Sequence, residues 1–516
     1  MIKYLSTRDN THTITSSQAI INGLAEDGGL YIPENLEDLQ LDYHEVIQQD
    51  YPGMAGTVFG KFFSDFDEET IEKVVSRSYT GKFSTEEITP LTKVEDAFVL
   101  ELYHGPTCAF KDVSLSALPN LMVESMRMNE MEKRMNIAIL GLGTVGSGAC
   151  EAVKSAIDLE VTRILVRRPK PEYADLQTED IDDILNDSDI DLVAECIGGI
   201  HPALEYVLGA MEHGKHVVTA NKALVSAHFE ELENCARKNG VQFRFTPSAG
   251  GGIPWLYNLQ RAGRCDTIEE VHGIVNGTCN YILDLMHTKG SDFAEVLRDA
   301  QELGYAESDP GADIEGWDTQ RKCVISANLA FGTVIPEDSV PVLGIHHILT
   351  EDIAFFNENG LTCRLLMNAS LQGDAVSAYV EPTLLTSAAL ESGVGTNFNM
   401  VSLTGKNVGP LSFYGQGAGK MPTGTSLVHD IIDIKDGISF SRSASTGPAP
   451  SKVDNTKTSH PYYFRIASGD SFPEEQIASE QVRNSYRCIT TKPMTVSDAH
   501  ALASRYENAF VAGYKE

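Results

Sequence analysis

An apolar run, NIAIL (136–140), ends abruptly in the turn GLGTVGSG (141–148). Gly141, Gly143 and Gly146 give the spacing GxGxxG, with Thr144 and Val145 between the last two. The run before it reads as a strand and the run after it, 145–157, as a helix. In that setting each glycine has a task. The first permits the tight turn, the second lets a pyrophosphate approach the backbone, and the third lets helix and strand pack closely. The helix N-terminus then faces the phosphates. Downstream, apolar runs at 161–166, 191–195 and 215–219 alternate with amphipathic stretches at 202–213 and 226–239. Strands alternating with helices predict a parallel sheet, so the fold class is α/β with a Rossmann nucleotide-binding domain.

The second predicted strand, VTRILVRRP, ends without the acidic residue that would hold a ribose diol. Arg167 and Arg168 stand there instead. Arginine can pair with a 2′-phosphate, which favours NADP over NAD; the other reading is two ordinary surface arginines. Beyond about residue 250 the pattern becomes α+β, with helices expected near 280–303, 317–331 and 424–434, a strand at 269–275 and a late strand, YYFRI, at 462–466. The expected domains are a small N-terminal one (1–125), a charged, methionine-rich linker (126–134), the Rossmann domain (135–260), an α+β domain (261–438) and a tail (439–516).

A chain of 516 residues exceeds the size at which a single core stops growing, so several domains are expected. The net charge of -33 argues against nucleic acid and anionic membranes as partners. The N-terminus has no apolar leader, and no stretch approaches the ~18 continuous apolar residues of a membrane span. Nine cysteines without a CxxC pair fit a reducing compartment and offer no zinc site. The expected location is the cytoplasm.

Six motifs occur in order: GLGTVGSG (141–148), TANKALVS (219–226), GGGIP (250–254), GIVNGTCNYIL (273–283), LGYAESDPGADIEGWDTQRK (303–322) and YGQGAGKMPTGTS (414–426). Over residues 135–438 the chain resembles the homoserine dehydrogenases. The resemblance implies an NAD(P)-dependent reduction of L-aspartate 4-semialdehyde to L-homoserine, by a homodimer or higher oligomer, with the α+β part, 261–438, as substrate and dimerisation domain. It implies that Lys222 and Lys322 are catalytic, that Lys222 also lies by the cofactor, and that Glu307, Asp313 and Asp318 bind substrate. Asn276, Gly277 and Thr278 would border substrate and cofactor, and Gly417, between Gly415 and Gly419, would close near the nicotinamide. The backbone at Ala249 and Gly251 would hold a monovalent cation, Na+ or K+, although Thr246 replaces a glutamate common in the family. The residues themselves add a reason: Lys322 lies four after Asp318 in a predicted helix, so the acid can orient the amine. A positive charge or proton beside a developing alkoxide is what hydride transfer to an aldehyde requires.

The first 125 residues resemble the N-terminal part of threonine synthase, through YLSTRD (4–9), GLAEDGGLYIPE (23–34) and YHGPTCAFKD (103–112). Lys111 matches that family's Schiff-base lysine. The portion that cradles the phosphate of pyridoxal phosphate does not follow, so no PLP is expected. The segment is left as a regulator or dock for other enzymes of the threonine pathway, an aid to oligomerisation, or a relic of fusion. In the tail, SHPYYFRIA (459–467) resembles the opening strand of an ACT domain, while the run GDSFPEEQIASEQ departs from that pattern; SYRCITTK reads as a later strand and MTVSDAHALASRYE as a helix.

Overall fold

The computed structural model describes residues 2–9, 11–130, 134–156, 158–307, 309–440, 449–450 and 452–515. The chain divides into two compact units, Met1–Arg134 and Met135–Glu516.

The first unit is mainly helical. Helices Tyr51–Phe62 and Glu68–Tyr79 both start on an aspartate cap, Asp50 and Asp67. Val74, Val75 and Tyr79 meet Phe66, Ala117 and Leu121 in a small core. The last helix, Leu118–Glu130, holds Pro119 in its first turn, where a missing N–H costs nothing. It runs through most of the stretch expected as a linker, because Met, Glu and Arg are strong helix formers; residues 131–133 lie outside the described set. The hairpin Leu91–Val94 with Ala97–Leu100 is exposed at all eight positions.

The second unit opens with a six-stranded parallel sheet. Its order is Phe243–Arg244, His216–Thr219, Leu192–Glu195, Met135–Leu140, Leu159–Leu165 and Gln177–Thr178. Strand interiors such as Ile137 to Leu140 and Leu192 to Ala194 are wholly buried, as both faces of a parallel sheet require. Helices Thr144–Val153, Ala203–Glu212 and Lys222–Asn239 connect the strands. The last begins four residues earlier than its periodicity predicts, because Asn221 caps it by accepting from the Leu224 N–H.

A larger sheet follows, with the order Gly409–Gln416, Phe398–Gly405, Ile268–Ile274, Leu361–Gln372, Ala375–Thr386, Phe510–Lys515, Tyr462–Ala467, Tyr486–Thr491 and Ile477–Arg483. Helices cover one face, among them Trp317–Phe331. The single helix expected at 280–303 is two, Gly277–Lys289 and Phe293–Glu302. Gly290 ends the first in a left-handed conformation and Asp292 caps the second. The tail is not a separate appendage: Phe510–Lys515 pairs parallel with Ala375–Thr386 and continues the sheet. Its last four strands have the order fourth, first, third, second, all antiparallel, as in a split βαβ module. The first crossover helix of such a module is replaced by a loop and a single 3-10 turn, Glu474–Gln476.

One helix crosses the expected boundary. Lys420–Lys435 returns to the nucleotide-binding sheet, and its Leu427, Val428, Ile431 and Ile434 pack with Ala149, Cys150 and Val153.

Candidate active site

The glycine turn forms as its spacing predicts. Gly141 has φ +93, a conformation that L side chains rarely adopt. A Cβ on Gly146 would lie 2.0 Å from the Gly141 carbonyl oxygen, so helix and strand meet there only through glycine. A Cβ on Gly143 would meet nothing within 4 Å. The backbone beside the Thr144–Val153 N-terminus is therefore open, and that terminus has no side-chain cap. Uncapped N–H groups next to open space suit a pyrophosphate. Thr144 and Val145 form the first turn of this helix. Arg167 and Arg168 are exposed beyond the second strand. Sequence reasoning passed over Lys170, whose Nζ donates to the Leu142 carbonyl at 2.6 Å and so reaches back to the glycine turn.

At the carboxyl ends of the next two strands lies a buried polar network that sequence reasoning also missed. Glu195, fully buried, accepts from the Thr219 hydroxyl at 2.5 Å and from the Ile197 and Gly198 N–H groups at 2.7 and 3.2 Å. Burial pushes its carboxyl up, against these hydrogen bonds. Asn221 donates to the Gly199 carbonyl at 2.6 Å while it caps the Lys222 helix. The signal was present in the sequence, as a charged residue closing the apolar run DLVAE.

Lys222, the first residue of its helix, projects to Asp318. Its Nζ lies 2.7 Å from Asp318 Oδ1. Lys322 Nζ lies 2.7 Å from Asp318 Oδ2, one helical turn on, and donates to the Val275 carbonyl at 2.6 Å. A single buried carboxylate thus carries an ammonium on each oxygen. Burial pushes the Asp318 carboxyl up, and the two lysines more than reverse this, holding it well below the usual range. Asp318 in turn raises the Lys222 ammonium, against its burial.

Asn276 ties the second acid in. Its Nδ2 donates to Asp313 Oδ1 at 2.7 Å and to Asp318 Oδ2 at 2.8 Å, while its Oδ1 caps the helix Gly277–Lys289 through the Cys279 N–H. Burial first, then the Asp318 charge, raises the Asp313 carboxyl. Gly277 packs against the Asn397 carbonyl, 2.8 Å from where its Cβ would stand, and the Thr278 hydroxyl donates to the Tyr305 carbonyl at 2.7 Å. Glu307 is exposed and is held through its backbone carbonyl by Gln301, outside the hydrogen-bonded cluster. Gly417 packs on the GGGIP turn: a Cβ on Gly251 would lie 2.2 Å from the Gly417 carbonyl oxygen, and one on Gly417 would strike Asn399. Ala249 and Gly251 are buried.

A parallel sheet with an open glycine turn, and a lysine–carboxylate cluster beside its strand ends, define an NAD(P)-dependent oxidoreductase. The family models agree: "Homoserine dehydrogenase, NAD binding domain" matches residues 141–246 and "Homoserine dehydrogenase" matches 254–432. The chain belongs to the homoserine dehydrogenase family, and with it to the enzymes that carry out NAD(P)H-dependent reduction of aspartate semialdehyde to homoserine. It is 37% identical over 345 residues to a homoserine dehydrogenase of Bacillus subtilis, covering 64% of this chain and 80% of that one. A homoserine dehydrogenase of Corynebacterium glutamicum is 40% identical over 316 residues, 58% of this chain and 71% of that one. Among solved structures, one from Thiobacillus denitrificans superposes with a TM-score of 0.66 at 29% identity, covering 74% of this chain and 98% of that one. The N-terminal unit matches the model "Threonine synthase N terminus" over residues 3–79.

Proposed function

We propose that the cluster around Asp318 is where L-aspartate 4-semialdehyde becomes L-homoserine, with Lys322 as proton donor to the carbonyl oxygen. The observation that carries this is the pair of 2.7 Å contacts from Lys222 and Lys322 to the two oxygens of one buried acid. Asp318 holds both amines aimed at one place. Lys322 gives its proton to the oxygen on which charge develops, and Lys222 supplies a second positive charge there. Asp313 and Glu307 receive the substrate ammonium, and Asn276 holds Asp313 in place. Gly277 and Thr278 fix the loop that borders the substrate.

Gly141, Gly143, Thr144, Val145 and Gly146 would hold a nicotinamide cofactor, which would supply the hydride. Gly417 closes over that site, and Glu195 with Asn221 orients the Gly198 turn and Lys222. Arg167 and Arg168 favour NADP by offering charge to a 2′-phosphate, and Lys170 adds a third cation nearby. The buried backbone carbonyls of Ala249 and Gly251 accept no backbone hydrogen bond among the described residues, which suits a monovalent cation. The enzyme works as a homodimer or higher oligomer. All nine cysteines are free, which supports a cytoplasmic setting; among the described residues no helix is long and apolar enough to cross a membrane. The N-terminal unit has no PLP chemistry of its own. Lys111 is exposed beside Asp112, and the phosphate-binding portion of a PLP enzyme is missing from the sequence.

The direct test follows the oxidation of NADPH, and separately of NADH, by the purified chain with aspartate semialdehyde. Turnover with a higher kcat/KM for NADPH is expected. No turnover with either cofactor from folded protein would overturn the reading.

A further inference from the structure

Lys222 opens a helix that is interrupted early. His228 has φ -125 and ψ 26, outside the helical range, so residues 222–227 form a segment shorter than two turns. A helical piece that short gains little rigidity from its own hydrogen bonds. Asn221 fixes its first end through the Gly199 carbonyl. Along its flank lies a cavity of about 820 Å³, lined among others by Ile200, Ser226, Phe229, Arg321, Val334 and Glu337. Close packing therefore does not brace the segment on that side.

A polar bridge crosses there instead. Ser226 stands four residues after Lys222, one turn on. Its hydroxyl donates to Glu337 Oε2 at 2.9 Å, and Glu337 Oε1 accepts from Arg321 Nε at 3.3 Å. Arg321 belongs to the helix Trp317–Phe331, which also carries Asp318 and Lys322. One carboxylate thus ties the helix of Lys222 to the helix of its partner acid.

Glu337 is firmly mounted. Gln320 Nε2 donates to the carbonyls of Glu337 and Val340 at 3.0 and 2.7 Å, and the Ile335 N–H donates to Asn328 Oδ1 at 2.7 Å. Gln320 and Asn328 both lie on Trp317–Phe331, so the loop is fixed to the helix of Asp318. The Arg321 and Glu337 side chains are 31% and 30% exposed, and an ion pair so exposed adds little stability by itself. Its use is positional.

We propose that Glu337 is a positioning residue for the reaction, holding the Lys222 segment through Ser226 so that the Lys222 ammonium stays on Asp318. Its effect on turnover rests on the catalytic role given to Lys222 above. The Lys222 amine is also a reporter that needs no turnover. Asp318, shared with Lys322, raises its titration, and Asp313 adds to this against burial and the Arg321 charge. Let go by Asp318, the amine titrates lower, and more of it is neutral and nucleophilic.

The test is competitive acetylation of the full chain with acetic anhydride, read lysine by lysine by peptide mass spectrometry. Lys222 is 42% exposed, so the reagent can reach it. Glu337→Ala removes the bridge, and Ser226→Ala opens it while leaving Arg321 paired. Melting curves first establish that each variant is folded at the labelling temperature. In both variants Lys222 labelling should rise about ten-fold, the response to a fall of one pH unit in its titration. Lys322, held by the Val275 carbonyl as well, should not change. The kcat for aspartate semialdehyde should fall about ten-fold, with KM less affected, as misplacement of a reacting group by a fraction of an ångström demands. Unaltered Lys222 labelling in either variant, or a rise that Lys322 shares, overturns the proposal. A rise confined to Lys222 with kcat unchanged upholds the bridge and overturns the catalytic role of Lys222, so the two failures are distinct.

Discussion

One carboxylate serving two ammonium groups makes Asp318 the residue on which the site turns. Removing Lys322 as Lys322→Met deletes the proposed proton donor while leaving Lys222 paired. The expected result is a fall in kcat of roughly 10²–10⁴-fold, the range for a positioned acid, with a smaller change in KM; steady-state kinetics across pH reads it. A rise in KM with kcat unchanged would make Lys322 a binding residue instead. Asp318→Asn has a second signature. The folded carboxyl lies below the unfolded value of about 3.9, so the folded state binds its proton less readily than the unfolded one. Its stabilising contribution is therefore complete above about pH 4 and is lost as pH falls through the folded value. The parent's melting temperature should drop more steeply below pH 4 than that of Asp318→Asn.

At the scale of elements, the nucleotide site depends on two helices that meet through glycine. A Cβ on Gly148 would stand 2.0 Å from the Lys420 carbonyl oxygen, and one on Gly424 would lie 2.5 Å from the Gly148 backbone. Gly148→Ala must push Lys420–Lys435 away from Thr144–Val153. A cost of about 1–3 kcal/mol is expected from overpacking, seen as a lower melting temperature, together with weaker cofactor binding in a fluorescence titration. An unchanged melting temperature would mean that the helices slide apart freely. This contact explains what the sequence could and could not reveal. GLGTVGSG was legible because its spacing is local. So was Asp318 to Lys322, one turn apart. That PTGTS (422–426) would close against GSG (146–148) was not, because the two runs are separated by some 270 residues that carry no signal of the pairing. The same holds for Glu195: a buried acid cannot be told from an exposed one until strand ends are brought together. The split between Gly277–Lys289 and Phe293–Glu302 was legible in Gly290 and Asp292, a stop and a start that apolar periodicity alone passed over.

For the molecule as a whole, the question is what the first 134 residues contribute to the reaction. Every group assigned to cofactor, substrate or proton transfer lies in Met135–Glu516, and so does the core that positions them. The second unit also begins cleanly. Met135 opens the central strand, Asn136 N–H donates to Asp191 at 2.8 Å, and Leu159 and Leu192 flank that strand from inside the same unit. Nothing in that sheet requires a strand from upstream. A chain started at Met135 should therefore fold and reduce aspartate semialdehyde with a kcat within about two-fold of the full chain, a difference of roughly 0.4 kcal/mol in the barrier. The N-terminal unit carries a different consequence. Leu91, Phe98, Leu100, Tyr103, Phe110 and Leu115 are each at least half exposed on a small helical unit, more apolar surface than a lone soluble unit usually leaves bare. Light scattering should show the full chain associating more strongly with rising salt than the chain started at Met135, since salt screens the repulsion of a net charge of -33 and leaves apolar contact in control. If the shortened chain folds and is inactive, the N-terminal unit acts on catalysis itself; if both chains associate alike, the exposed face is not what drives assembly.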